Sequence, residues 1–365
     1  MSFDPCTIIR PEVRALTAYH VEPLPPGGVR AKLDANESPF ALAETLREDL
    51  AAELAKALAD VALHRYPDPE ARELREVMAS DLGVSPEQIL AANGSDEAIQ
   101  MLLLAVAGPG VRVAAPVPTF VMYELGSRAL GLTFAGVPLG EGFDLDPEAF
   151  LRTLVQERPR LVFLAWPNNP TGRLFDAAVV EEIIRRSEGL VVVDEAYTDY
   201  SGRSFLPRLG EFPNLVILRT LSKIGLAGIR LGMLIGSAGL VREVNKVRLP
   251  YNVNALSQAA GRVVLRHAEV VRRHAAAIVE ERERVLSALR GMGGITVFPS
   301  DANFFLMRTR QSGDEVFRGL LTRGVLVRNF SRAPRLADCL RVTIGTSEEN
   351  ALFLSALADV LDRGR

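Results

Sequence analysis

Between residues 89 and 247 the chain alternates short apolar runs with amphipathic helical segments. Such runs are too short for buried helices and are typical of strands that are covered on both faces. The pattern predicts seven strands, at 89–92, 111–115, 133–137, 161–165, 190–194, 216–220 and 231–235. We therefore expect an α/β fold with a mostly parallel seven-stranded sheet and helices on both faces. Ligands of such sheets bind beyond the carboxyl ends of the strands.

The remaining chain predicts two flanking regions. Residues 1–35 are rich in proline and are expected to form an N-terminal arm that joins the smaller domain. Residues 36–248 are expected to form the large domain that contains the sheet. Residues 249–365 return to short strands with helices between them and predict a smaller α+β domain.

Composition excludes several classes of function. The net charge is −3 and the pI is near 6, which gives no electrostatic case for binding nucleic acid or an anionic membrane. The longest apolar run, 101–107, is too short to span a bilayer. Residues 1–10 contain no secretory signal, so we expect a cytoplasmic protein.

No metal site is predicted. Cys6 and Cys339 lack the spacing of metal ligands or of a disulfide framework. Residues 254–289 predict one long or broken helix that carries His267 and His274 seven residues apart. Two histidines are too few for a metal centre, and we expect both on the solvated surface.

Lysine is rare in this chain. Only four of its 42 basic residues are lysine: Lys32, Lys56, Lys223 and Lys246. An ammonium group can lose its proton and attack a carbonyl, whereas a guanidinium cannot. Lys223 follows a predicted strand, with the hydroxyls of Thr220 and Ser222 before it and Arg230, suited to a phosphate, after it. We interpret this stretch as a nucleophile beside an anion site.

Two further groups follow predicted strands. Asp194 ends a buried apolar strand, and because an unpaired buried charge is costly we expect it to have a cationic partner. Tyr197 lies three residues on and can offer its phenol to the same ligand, whereas Glu195 is either a surface residue or a support for its neighbours. Asn169 lies in a rigid loop between Pro167 and Gly172 and offers an amide in a fixed position.

Ser95 and Asp96 open a helix directly after a strand, where free backbone N–H groups can hold a phosphate; an ordinary helix cap is the alternative interpretation. Phe120 follows the next strand and can stack on a planar ring or belong to the core. A cofactor with a phosphate, an aromatic ring, a basic ring nitrogen, a phenolic oxygen and an aldehyde would use all these groups. Pyridoxal 5′-phosphate is that cofactor.

Motifs across nearly the whole chain resemble those of fold-type I pyridoxal-phosphate-dependent aminotransferases and, more narrowly, the histidinol-phosphate aminotransferase family. They are Tyr19, LDANE at 33–37, RYP at 65–67, NPTG at 169–172, DEAY at 194–197, TLSK at 220–223, SDANF at 300–304 and CLRVTIG at 339–345. The resemblance implies that the large domain, residues 36–248, binds the cofactor and that a smaller domain follows it.

The resemblance also implies roles. Lys223 would form an aldimine with the cofactor and move a proton during catalysis, and Asp194 would pair with the ring nitrogen. Tyr197 and Asn169 would bind the ring oxygen. Phe120 would stack on the ring, where the family often has tyrosine. The phosphate would be bound by Ser95, Asp96, Thr220, Ser222 and Arg230. Six residues separate Lys223 from Arg230, where the family usually has seven.

For the substrate, the resemblance assigns its acidic group to Arg341 and its phosphate to Arg328. Tyr19 would close over the substrate, and Asn36 would also bind it. Tyr66 would reach the phosphate of a neighbouring subunit, which implies a homodimer with shared sites.

The implied function is a transaminase of histidine biosynthesis. It would interconvert L-histidinol phosphate and imidazole-acetol phosphate, with 2-oxoglutarate and L-glutamate as the partner pair, in a ping-pong cycle through pyridoxamine phosphate. An aromatic amino-acid aminotransferase and a threonine-phosphate decarboxylase of the same family are alternatives. Arg328 with Arg341 favours a phosphorylated substrate and does not exclude the decarboxylase. A cofactor-binding regulator would need a DNA-binding segment, which residues 1–40 do not provide.

Overall fold

A computed structural model describes residues 5–18, 27–41 and 48–362 of the chain. Its strands are numbered in chain order. They are β1 (Ala31–Leu33), β2 (Ile89–Ala92), β3 (Arg112–Val117), β4 (Thr133–Pro138), β5 (Leu161–Ala165), β6 (Leu190–Asp194), β7 (Leu215–Thr220), β8 (Gly232–Ile235), β9 (Ile295–Val297), β10 (Phe304–Thr309), β11 (Val325–Asn329) and β12 (Cys339–Thr343).

The larger sheet has seven strands in the order β2-β8-β7-β6-β5-β3-β4. The run from β7 to β4 is parallel throughout, and β8 is antiparallel to both of its neighbours. The predicted α/β class with a mostly parallel seven-stranded sheet is confirmed.

Both faces of this sheet are buried. Successive side chains of a strand point to opposite faces, and those of β6 enter two different apolar cores. Val191 and Val193 belong to one core, and Val192 to the other. Helices cover both faces because strands buried on two sides leave no face for water.

The helices of the described residues connect and cover these strands. They are Pro11–Arg14, Glu48–Ala59, Arg72–Leu82, Gly94–Val106, Met122–Ala129, Pro147–Glu157, Ala177–Arg186, Thr198–Ser201, Ala238–Asn245, Ala255–Arg266, Ala268–Arg290, Gly313–Leu321 and Ser347–Asp362. Several begin at a side chain that accepts a backbone N–H, as Asp146 does from Ala149 at 3.0 Å and Asn254 from Ser257 at 2.9 Å.

The smaller sheet has five strands in the order β1-β11-β12-β10-β9. Strand β1 lies parallel to β11, with Ala31 opposite Val325. The end of the predicted N-terminal arm is therefore part of the sheet formed by the C-terminal region. The boundary after residue 248 stays a prediction, because the helix Ala255–Arg266 packs on the helices Glu48–Ala59 and Arg72–Leu82 of the preceding region.

The long helical segment is broken at His267, which separates the helices Ala255–Arg266 and Ala268–Arg290. His267 lies within 3.0 Å of a Glu53 carboxylate oxygen. The expectation that His274 is on the surface is wrong: its side chain is buried and packs against the ring of Phe40, with 4.9 Å between ring centroids. Phe40 is remote from His274 in sequence, so the position of His274 on the helix does not reveal this contact.

Within the described ranges, no helix is long and apolar enough to cross a membrane. The same residues contain no group of three or more His, Cys, Asp or Glu side chains that could hold a metal ion.

Candidate active site

A cavity of about 860 Å³, including its open mouth, lies beyond the carboxyl ends of β5, β6 and β7. Most of the residues singled out in the sequence line it. They are Asn36, Ser95, Asp96, Phe120, Asn169, Asp194, Tyr197, Thr220, Ser222, Lys223, Arg230, Arg328 and Arg341. Tyr66 lies outside this cavity, on the surface. Tyr19 falls outside the described residues.

Asp194 ends β6 with its carboxylate buried. One oxygen accepts the Tyr123 hydroxyl at 2.7 Å, and the other accepts the Ala196 backbone N–H at 3.1 Å. The cation expected from the sequence is not among its partners in the described part of the chain. Burial raises the pKa of Asp194 to about 6, and the two hydrogen bonds only partly oppose this effect. The arrangement suits a carboxylate that pairs with a cationic group of a bound ligand.

Glu195, the next residue, is buried and does not line the cavity. Its carboxylate accepts the Arg219 guanidinium at 2.9 Å, the Ser204 hydroxyl at 2.8 Å and the Phe205 backbone N–H at 2.6 Å. The sequence left two interpretations of Glu195. The structure favours the one in which Glu195 stabilises its neighbours, and it excludes a surface residue.

The Tyr197 phenol accepts two amide donors. Asn36 Nδ2 lies 2.9 Å from the phenol oxygen and Asn169 Nδ2 lies 3.4 Å from it. Burial raises the pKa of Tyr197 to about 12, so its hydroxyl stays protonated near neutral pH. Since the oxygen already accepts two bonds, the phenolic proton can be donated to a ligand oxygen.

Lys223 lies in an irregular turn, Ser222–Leu226, between β7 and β8. Its amine is 3.4 Å from the carbonyl oxygen of Ala35 and 6.0 Å from the centre of the Tyr197 ring. Burial, followed by the positive charge of Arg341, lowers the pKa of Lys223 to about 8. Near neutral pH a usable fraction of this amine is therefore unprotonated and nucleophilic.

The end of the cavity beside Arg230 is rich in hydrogen-bond donors. The helix Gly94–Val106 begins there, and the first N–H groups of a helix have no partners within it, which suits an anion. Arg230 lies 3.0 Å from the Asp96 carboxylate and 3.4 Å from the Ser222 hydroxyl, which in turn is 3.0 Å from that of Thr220.

The loop from Lys223 to Arg230 contains two residues with left-handed backbone conformation. Gly225 has φ +104° and Arg230 has φ +50°, so two left-handed residues turn the chain back toward β8. The Arg230 guanidinium still reaches the start of the helix Gly94–Val106. A Cβ at Gly94, which has φ +73°, would lie 3.0 Å from it.

Gly232 brings this helix close to the sheet. It stands in register between Ala92 and Thr220, and a Cβ there would lie 2.5 Å from the carbonyl carbon of Gly94. Only glycine allows the start of the helix to approach β8 this closely.

Two arginines from neighbouring strands face the cavity. Arg328 on β11 is in register with Arg341 on β12. The buried Arg341 donates to the Asn169 side-chain oxygen at 2.7 Å and to the Asp34 carbonyl at 2.6 Å. Paired guanidinium groups suit a substrate with a carboxylate or phosphate.

Tyr123 is a site residue that the sequence did not reveal. It lies three residues after Phe120, in the first turn of the helix Met122–Ala129, and its hydroxyl meets Asp194 71 residues further along the chain. Its place three residues after Phe120 was the only signal available in the sequence.

The chain matches the family described as "Aminotransferase class I and II" over residues 31–357, and it belongs to that family. Over 361 residues it is 48% identical to histidinol-phosphate aminotransferase 2 of Cupriavidus pinatubonensis, with 96% of each chain covered. It is 44% identical over 354 residues to the histidinol-phosphate aminotransferase of Aquifex aeolicus, covering 96% of this chain and 98% of that protein.

Among solved structures, the histidinol-phosphate aminotransferase of Sinorhizobium meliloti in complex with pyridoxal 5′-phosphate superposes with a TM-score of 0.86. The match covers 98% of this chain and 99% of the other at 24% identity, and it shows that the two share a fold.

Proposed function

We propose that this aminotransferase transfers the amino group of L-histidinol phosphate to 2-oxoglutarate, giving imidazole-acetol phosphate and L-glutamate, with pyridoxal 5′-phosphate as cofactor. Relatives of that name at 44–48% identity support the substrate. The observation that carries the chemistry is the placement of the Lys223 amine and the buried Asp194 carboxylate on one cavity, with Arg328 and Arg341 lining it as well.

The residues present fit the cofactor. Among the described residues, the buried Asp194 carboxylate accepts hydrogen bonds from neutral donors alone, and it would take the ring nitrogen. Tyr197 and Asn169 would bind the ring oxygen, and Phe120 would cover the ring. The start of the helix Gly94–Val106 would hold the phosphate through its N–H groups, those of Ser95 and Asp96 among them. The side chains of Thr220, Ser222 and Arg230 would complete this site.

When bound, pyridoxal phosphate supplies an electron-withdrawing ring that weakens the bond between the substrate's Cα and its hydrogen. Lys223 serves as the attachment point and then moves the proton at Cα. Its pKa of about 8 suits both directions of proton transfer near neutral pH. Tyr197, with its pKa near 12, donates a hydrogen bond and stays protonated.

The two arginines would allow one site to accept two substrates in turn. Histidinol phosphate carries a phosphate, whereas glutamate and 2-oxoglutarate carry carboxylates, and a guanidinium binds either group through paired N–H bonds. Arg341 would bind the acidic group and Arg328 would help to bind the phosphate. Asn36 would act through Tyr197, to which its amide already donates.

One assay tests the substrate. The purified chain, loaded with pyridoxal phosphate, is offered histidinol phosphate, phenylalanine or threonine phosphate in turn, with 2-oxoglutarate present. Glutamate should form fastest with histidinol phosphate. Release of CO₂ from threonine phosphate without glutamate would instead establish the decarboxylase, and preference for phenylalanine would establish the aromatic enzyme.

A matched pair of lysine variants tests the cofactor. Lys223→Ala should lose the absorbance band of the lysine-attached cofactor and transaminate at least about 10²-fold more slowly. Lys246→Ala is the control, because that side chain is 68% exposed and pairs with Glu243 at the surface. A colourless wild-type protein after reconstitution would refute the cofactor assignment.

We also infer a homodimer in which Tyr66 completes the partner's phosphate site. Tyr66 is 80% exposed and stacks on Tyr251, with ring centroids 4.5 Å apart. Leu63 and Leu249, near these two tyrosines in the chain, are also exposed, at 74% and 72%. Burying these apolar side chains against a second copy would remove them from water.

A further inference from the structure

The carboxylate of Asp194 is held from two sides. Tyr123 donates its hydroxyl to one oxygen at 2.7 Å, and Ala196 donates its backbone N–H to the other at 3.1 Å. Each oxygen of an ionised carboxylate can accept more than one hydrogen bond. The pair therefore fixes the orientation of the carboxylate and still leaves capacity for a ligand N–H.

The Tyr123 side chain is itself rigidly placed. It is fully buried and stacks on Phe163, with 4.4 Å between ring centroids and 2° between ring planes. The ring of Phe120, which faces the cavity, packs against it edge-on at 5.6 Å. These contacts involve the ring alone, so removing only the hydroxyl leaves the packing in place.

We propose that Tyr123 is a positioning residue that keeps Asp194 ionised and aimed at the ring nitrogen of the cofactor. The inference rests on the proposed cofactor and function. A hydroxyl that donates to a buried carboxylate stabilises its charged form, and only that form can pair with a protonated ring nitrogen.

Because other groups around Asp194 oppose its negative charge, the ionised form depends on this hydrogen bond. Asp96, at the start of a neighbouring helix, and the adjacent Glu195 both oppose a negative charge there, as burial does. Tyr197 faces Asp194 as a neutral phenol, and Arg219 is engaged by Glu195.

Two donors, the Tyr123 hydroxyl and the Ala196 N–H, stabilise the negative charge of Asp194. Burial and the charge of Asp194 raise the pKa of Tyr123 well above its ordinary value, so it remains a donor.

The first test follows the Asp194 carboxyl directly in the full chain without cofactor. Its titration is read by NMR from ¹³C-labelled aspartate, with Asp194→Asn identifying the signal. In Tyr123→Phe the midpoint should rise by about one pH unit or more. Tyr200→Phe is the control, since this buried tyrosine donates to the Lys223 carbonyl and not to Asp194. A midpoint that is the same in Tyr123→Phe and wild type overturns the proposal.

The second test measures pyridoxal phosphate affinity against pH. Loss of affinity on acidification should begin about one pH unit higher in Tyr123→Phe than in wild type. In an Asp194→Asn background the Tyr123→Phe substitution should cause no further shift, because the titrating group is gone. An equal shift in both backgrounds would show a purely structural role. Both readouts are independent of histidinol phosphate, so a failed substrate assay leaves them interpretable.

Discussion

The guanidinium of Arg341 donates to the side-chain oxygen of Asn169 over 2.7 Å and thereby fixes which end of that amide faces Tyr197. With its oxygen engaged, the amide turns its nitrogen toward the Tyr197 hydroxyl. The other amino group of Arg341 donates to the Asp34 carbonyl at 2.6 Å. A residue proposed to bind the substrate therefore also orients one proposed to bind the cofactor.

Replacing Arg341 with lysine should weaken both substrate binding and cofactor binding. A single ammonium lacks the planar fork that reaches Asn169 and Asp34 together. We expect KM for glutamate to rise about 10- to 100-fold in Arg341→Lys, with weaker cofactor binding. Steady-state kinetics and cofactor titration measure both, and Arg332→Lys is the control because Arg332 is 85% exposed and pairs with Asp314 at the surface. Unchanged cofactor affinity would exclude the orienting role of Arg341.

Cofactor capture should follow the ionisation of Lys223. Only the neutral amine attacks an aldehyde, so below its pKa of about 8 the rate should fall about tenfold per pH unit. Stopped-flow absorbance of the cofactor-free chain with pyridoxal phosphate gives this profile. In Arg341→Ala the plateau should begin at higher pH, because a neighbouring positive charge is removed. A wild-type plateau that begins only near 10.5, the ordinary lysine value, would contradict the lowered pKa.

Asp194 should make the cofactor-free protein less stable as pH rises. Its folded pKa of about 6 exceeds the ordinary 3.8, so the folded state binds more protons between these values. The resulting stabilisation is complete below pH 3.8 and is lost as pH rises through 6, and it amounts to about 3 kcal/mol. Urea unfolding at pH 4 and pH 7 measures the loss, and Asp194→Asn should abolish this contribution. An identical pH dependence in the variant would refute it.

Gly232→Ala should disturb the proposed phosphate site. The added Cβ would meet the Gly94 backbone at 2.5 Å, so the start of the helix Gly94–Val106 must move. We expect a loss of about 1–3 kcal/mol in stability and weaker cofactor binding. Thermal unfolding and cofactor titration measure the two effects. Gly239→Ala is a matched control, since a Cβ at that helical position has no neighbour within 4 Å, and alanine there should be neutral or stabilising.

Mixing two inactive variants tests the shared site. If Tyr66 serves the neighbouring subunit, a hybrid of Tyr66→Ala and Lys223→Ala chains has one intact site. Random mixing of the chains should then restore about a quarter of wild-type activity per site. The activity is measured after the two variants are unfolded and refolded together. Activity no higher than that of separately refolded variants would show that Tyr66 and Lys223 do not act across subunits.

Two of the buried parallel strands were predicted to the residue. For β5 and β6 the predicted bounds, 161–165 and 190–194, equal those of the structure. A strand buried on both faces must be apolar throughout, and this requirement marks both of its ends. The carboxyl ends of such strands also led to most of the residues that line the cavity.

Contacts between remote segments were not predictable from the sequence. The sequence could state that the buried Asp194 needs a partner, but not that Tyr123 would supply a hydroxyl in place of a cation. The sequence predicts that His274 is an exposed helical residue. In the structure it packs against Phe40, which precedes it by more than two hundred residues. In both cases the contact depends on how two elements pack, and neither element's own pattern encodes it.

The pairing of β1 with β11 has a consequence for how the chain folds. Nearly three hundred residues separate Ala31 from Val325, so this edge forms only after most of the polypeptide has been synthesised. Contacts of such long sequence separation are slow to form because a long loop must close first. Until then β11 has an open edge, which is where a second unfinished chain could pair and aggregate. Once the pairing has formed, the sheet ends at the three-residue strand β1, and such a short edge strand is a poor template for a second chain.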